Sequence, residues 1–130
     1  MRVFFIIKEI NMLYLTKALY FDTLAHMQWK DAENTRLIQA VLALKTPDEA
    51  QRFLRDLMTE KEIKEFSNRF KTAELLTKNV PYSEIEQKTG LSSRTVARVS
   101  KWLNGKGGGY RTIINRLHSH NSIQARKGLS

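Results

Sequence analysis

Apolar positions beyond Asp31 recur every three or four residues, the period of an α-helix packed along one side. Leu37, Val41 and Leu44 share one face of a first helix. "TPDEA" then marks a second start. Thr46 is placed to cap, Pro47 suits the first helical position, and Asp48 and Glu49 favour the positive end of the helix dipole. Ala50, Phe53, Leu54 and Leu57 form the apolar stripe that follows. Thr59 with Glu62 matches a capping box and opens a longer helix to about Lys78, with Ile63, Phe66, Phe70 and Ala73 on its buried side. "NVPY" ends it, because Asn79 tolerates a helix terminus and Pro81 drives Val80 into an extended conformation.

Two shorter helices follow. The first covers Tyr82 or Ser83 to Thr89; Gly90 then supplies the positive-φ residue for a sharp turn, and Ser92 or Ser93 caps a helix to about Leu103. "NGKGGGY" reads as a flexible loop and "YRTIINRL" as a final short helix, with a polar, mobile tail from His118. No segment of strand period occurs after residue 30, so the expected class is all-α.

Within the chain of 130 residues the segment Glu84 to Val99, "EIEQKTGLSSRTVARV", has the form of a helix-turn-helix. Such a unit needs two helices packed on each other, a tight turn, and a second helix with polar residues facing outward. Ile85, Val96 and Val99 are the apolar contacts, and Leu91 plugs the turn after Gly90. Small or basic residues remain on the outer side. Small ones let the helix start approach the floor of the major groove, cations neutralise phosphates, and an Arg can make a bidentate contact to guanine. Tyr82 and Ser83 begin the preceding helix, where backbone N–H groups and hydroxyls suit a phosphate. The candidate DNA-facing set is therefore Tyr82, Ser83, Ser92, Ser93, Arg94, Thr95, Ala97, Arg98 and Lys101. Glu86 departs from the small residue usual at its position.

Charge distribution sharpens this reading. The net charge of +9 comes entirely from the last third: up to Gln87 thirteen basic residues balance thirteen acidic ones, and from Lys88 to Ser130 nine basic residues stand with no Asp or Glu. An acid-free stretch coinciding with the second helix is the footprint of a polyanion binder. Cysteine is absent, which excludes disulfides and thiolate metal sites and suits a reducing compartment. Hydrophobic content of 42% is ordinary for a folded domain. The apolar start, "MRVFFIIKEINMLYLTKALYF", is interrupted by Lys8, Glu9, Asn11 and Lys17, too often for a membrane span or a secretion signal. A soluble, cytoplasmic protein is expected.

The run "LMTEKEIKEFSNRF…ELL…YSEIEQKTGLSSRTVARVSKWLN" resembles the tryptophan repressor superfamily, in the branch of tryptophan-repressor-like proteins of the YerC/YecD type. The likeness spans about residues 27–117. It implies an intertwined all-α homodimer whose two helix-turn-helix units, here residues 82–103, address a pseudo-palindromic operator as a repressor. In that family the base-facing positions correspond to Ser93, Arg94 and Ala97. Two arginines that sandwich a bound tryptophan correspond to Arg69 and Arg98, and a ligand-lining threonine to Thr59. Two further positions depart: a glycine is replaced by Val99 and a serine by Trp102. Both add bulk where the ligand would sit, so these departures lead to the expectation of no tryptophan and no cofactor, with the indole of Trp102, or Val99 with it, filling the site. Residues 1–26 have no counterpart in the family. Either they form an extra apolar arm or the native start is Met27. Residues 118–130 form a basic tail outside the domain.

Other functions find little support. His118 and His120 stand without a third ligand, and His26 is distant, so no metal site is expected. "GKGGGY" lacks Walker spacing and a preceding strand. No Ser/His/Asp arrangement can be assembled, and the expectation is not an enzyme. Two alternatives remain open: a helix-turn-helix used as a protein-interaction scaffold, or the DNA-binding head of a transposition or replication system.

Overall fold

A computed structural model describes residues 28–127. Within them the chain forms six α-helices and no strand: α1 Ala32–Ala43, α2 Pro47–Leu57, α3 Glu60–Thr77, α4 Tyr82–Thr89, α5 Ser93–Asn104 and α6 Gly109–Lys127. The expected extension over residues 1–26, with the question of Met27, lies outside the described residues, as do the last three. The chain divides into two compact units on either side of the Ala50–Gln51 bond.

In the first unit, α1 starts after an extended Asp31 whose side chain makes no capping bond. Asn34 Nδ2 and Thr35 Oγ1 instead donate to the carbonyls of Gln28 and Trp29, each at 3.1 Å, and tie down the preceding turn. No α1 residue is buried. Leu37 and Val41 are 43% and 49% exposed, whereas Leu44, the third expected member, is half-buried just beyond the helix end, so the apolar face within α1 is uncovered. Thr46 caps α2 as expected, its Oγ1 accepting the Glu49 N–H at 3.2 Å. The Glu49 carboxylate in turn accepts the Lys45 N–H at 2.8 Å.

The second unit holds the core, and α3 is its central element, packing on α4, α5 and α6. The capping box at its start is complete: Thr59 accepts the Glu62 N–H, and Glu62 accepts the Thr59 N–H at 2.9 Å. The bond from the Thr59 N–H, and after it one from the Thr59 hydroxyl, hold the Glu62 carboxyl below its ordinary pKa. At the far end Asn79 is left-handed (φ 56°), and its N–H bonds the Leu76 carbonyl while the Val80 N–H reaches Leu75. This is a Schellman closure, which satisfies carbonyls the helix end would leave orphaned.

Ala73, Val99, Leu103 and Ile114 form the buried cluster, with Phe70, Leu76 and Tyr110 packed against it. Burial of the Val99, Leu103 and Ile114 side chains stabilises by roughly 1.5–3 kcal/mol each. The Phe70 and Tyr110 rings lie 6.4 Å apart in a tilted pair. Thr72 is also fully buried, and its hydroxyl has no hydrogen-bond partner.

One boundary differs from the sequence expectation. The last helix does not stop near Leu117; it continues to Lys127, so the segment after His118 is helical rather than an irregular tail. Between Tyr110 and Lys127 there is no Gly or Pro, and Leu117, Gln124, Ala125 and Arg126 are good helix formers. Polarity alone does not end a helix; the next breaker is Gly128.

Candidate nucleic-acid interface

The corner between α4 and α5 is set by Thr89, Gly90 and Ser92. Gly90 adopts φ 69°, ψ 9°, and its N–H closes on the Glu86 carbonyl at 2.8 Å. Buried Thr89 uses its hydroxyl twice, donating to the Ile85 carbonyl at 2.7 Å and accepting the Leu91 N–H at 3.3 Å. Ser92 then caps α5 by accepting the Thr95 N–H at 3.3 Å. The chain reverses within four residues, with the Gly90 and Leu91 N–H groups and the Thr89 and Ser92 hydroxyls all engaged.

α5 packs on α3, α4 and α6 through Val96, Val99 and Leu103, which are 0%, 2% and 5% exposed. Ile85, also fully buried, is the apolar contribution of α4. Those inward positions fix what faces out. Ser92, Ser93, Arg94, Ala97, Arg98 and Lys101 are all exposed, as are Tyr82 and Ser83 at the start of α4. Thr95 is half-buried, and its hydroxyl lies 3.1 Å from that of Ser92, so it belongs to the cap more than to the outer face. On α4, Lys88 pairs with Glu84 one turn earlier, and Glu86 is only partly buried. The unusual carboxylate at Glu86 therefore does not have to be accommodated in the core.

Two of the three residues matched to the tryptophan pocket, Thr59 and Arg69, have other engagements. The Thr59 hydroxyl donates to Glu62 Oε2 at 2.8 Å as well as capping α3. Arg69 is half-buried rather than a plain surface cation: it pairs with Glu65 one turn earlier, and its guanidinium lies 5.4 Å from the Phe66 ring centroid. Arg98 is exposed. Of the two bulky replacements, Val99 is part of the core, whereas Trp102 is 53% exposed on the flank of α5.

Two features escaped sequence reasoning. Thr89 could have been noticed, since a hydroxyl immediately before a turn glycine commonly bonds back one helical turn. An open groove of about 560 Å³ beside α5, reached by Ser100, Asn104 and Arg111, had no sequence signal because its walls come from four separate helices. Among the described residues no group of three or more His, Cys, Asp or Glu could hold a metal, and no helix is long and apolar enough to cross a membrane.

Comparison with known proteins agrees with this geometry. Residues 32–118 match the Trp repressor protein family. The uncharacterized protein YerC of Bacillus subtilis (strain 168) is 34% identical over 85 residues, which span 65% of this chain and 82% of that protein. The crystal structure of a TrpR-like protein from Eubacterium eligens ATCC 27750 superposes with a TM-score of 0.67 at 38% identity, covering 70% of this chain and 94% of the other. A crystal structure from Staphylococcus aureus gives a TM-score of 0.65 at 31% identity, covering 72% and 96%. The chain thus has the all-α fold of tryptophan-repressor type and belongs to the Trp repressor family, a family of helix-turn-helix DNA-binding regulators rather than of enzymes.

Proposed function

We propose that this protein is a sequence-specific transcriptional repressor that grips a pseudo-palindromic operator as a homodimer. The observation that carries the reading is the division of α5 into two sides. Val96, Val99 and Leu103 are buried, while the opposite side bears Ser93, Arg94, Ala97, Arg98 and Lys101 with no carboxylate among them. Small Ser93 and Ala97 admit the helix to the major groove, Arg94 reads a guanine edge, and Arg98 and Lys101 neutralise phosphates. Tyr82 and Ser83 add backbone contacts from the start of α4.

A second copy is the natural cover for the exposed apolar residues of α1 to α3, among them Leu37, Val41, Leu54, Leu57 and Phe66. Two reading heads would then meet half-sites about one helical turn apart on the same DNA face. Tryptophan is not required. Thr59 and Arg69 are already engaged with Glu62 and Glu65, and Val99 occupies space where the family has glycine.

Selection of bound duplexes from random DNA with the purified protein tests this, combined with salt titration of the selected sequence. The expected result is a two-fold symmetric consensus whose affinity falls steeply as salt rises. Absence of any salt-sensitive duplex affinity would instead favour a protein-interaction scaffold. Micromolar binding of L-tryptophan in a calorimetric titration would overturn the ligand-free reading.

A further inference from the structure

We propose that the groove beside α5 receives a sugar–phosphate of the same DNA duplex, with Arg111 as its phosphate ligand. The inference rests on the DNA-binding reading and adds a contact outside the helix-turn-helix. Ser93, Ala97, Ser100 and Asn104 are spaced by four, three and four residues, so they form one stripe along α5. The first two are the small positions at the reading end. The last two line the groove, whose rim also includes Tyr82 and Arg111, above a floor that includes Leu76 and Leu103. The groove is therefore continuous with the proposed reading face, and Tyr82 belongs to both.

The lining chemistry selects the occupant. No Asp or Glu lines the groove. Arg111, in the first turn of α6, donates from Nη2 to the Gly105 carbonyl at 2.9 Å, which fixes its head against the loop. Gly108, at φ 64°, makes the reversal that returns Arg111 to Gly105. A guanidinium carries five N–H donors, so one bond to a carbonyl leaves donors for a phosphate oxygen. Asn104 and Ser100 are held together by an amide N–H bond to the Ser100 carbonyl at 2.9 Å. The leucine floor offers nothing to a free phosphate but matches the C–H face of a deoxyribose. A backbone contact at this end of α5, with base contacts at the other, would fix the helix's register on the duplex.

The test uses the intact protein and its selected duplex, with Arg111→Gln and Asn104→Asp compared against wild type and Arg98→Ala. Circular dichroism first establishes that each variant is folded. Arg111→Gln is expected to weaken cognate and random duplexes alike and to lower the salt slope by about 0.9 per half-site. Its deficit relative to wild type then shrinks between about 50 and about 200 mM salt by about 3.5-fold per half-site, about twelvefold for the two-half-site duplex. Asn104→Asp leaves Arg111 in place but adds a carboxylate, and is expected to weaken binding most at low salt. Ethylation of one phosphate per half-site should impair wild type and leave Arg111→Gln unaffected. If Arg98→Ala weakens binding while both groove variants keep wild-type affinity and slope, the groove assignment is wrong and the DNA reading stands. If wild type shows no salt-dependent duplex affinity, the DNA reading itself fails.

Discussion

Replacing Gly90 by alanine isolates the conformational demand of the corner between α4 and α5. A Cβ built at Gly90 meets no heavy atom within 4 Å, so substitution brings no clash. The cost is purely that of holding an L-residue at φ 69°. That conformation disfavours a residue with a Cβ by about 1–2 kcal/mol. The unfolded chain loses freedom when glycine becomes alanine, which offsets about 0.4–1 kcal/mol. The net expectation is a loss of about 1 kcal/mol. Asparagine tolerates the left-handed region better, and Asn79 already occupies it at φ 56°. Gly90→Asn should therefore cost less than Gly90→Ala. Urea unfolding followed by circular dichroism, at one fixed protein concentration, measures both; the midpoint should fall with the slope unchanged. Wild-type stability in Gly90→Ala would refute the reasoning, as would a Gly90→Asn variant as unstable as the alanine one.

Three further outcomes are expected. Arg94→Ala should relax sequence preference at one base pair, by about 1–3 kcal/mol of discrimination, whereas Lys101→Ala should weaken all duplexes about equally; parallel titrations on cognate and random DNA separate the two. Thr72→Val replaces a fully buried hydroxyl that has no partner with a methyl of similar shape. It should raise thermal stability by about 1 kcal/mol, read as a higher unfolding midpoint. The capping bonds lower the Glu62 pKa in the folded chain, so their stabilisation is present above the unfolded carboxyl pKa and is lost as pH falls through the depressed folded value. Acid titration of stability should show this loss in wild type and less of it in Thr59→Ala.

Local signals carried much of the fold and of the site. Thr59 with Glu62, Thr46 before Pro47, Asn79 and Gly90 each act through bonds or dihedrals within a few residues, and each is where the sequence places it. Ile85, Val96 and Val99 were legible because helical periodicity reports one buried side. What periodicity cannot report is which cover an apolar face receives. Leu37 and Val41 share the expected face, yet no residue of α1 is buried in a single chain. Thr95 stands in the expected DNA-facing set, but its position one turn from Ser92 draws it into the cap. α6 outran its expected end because a polar sequence without breakers remains a good helix. The groove depends on four helices meeting, which no short motif encodes.

The acid-free last third, with its nine cations, makes ionic strength act on the molecule in opposite directions. In dilute buffer these like charges repel across neighbouring helices, and added salt relieves the repulsion as the screening length contracts to about 10 Å near 0.1 M. Folding of the free protein should therefore gain from salt while its hold on a duplex declines. A bound polyanion supplies the missing countercharge, so the melting-temperature increase it confers should be greatest in the most dilute buffer.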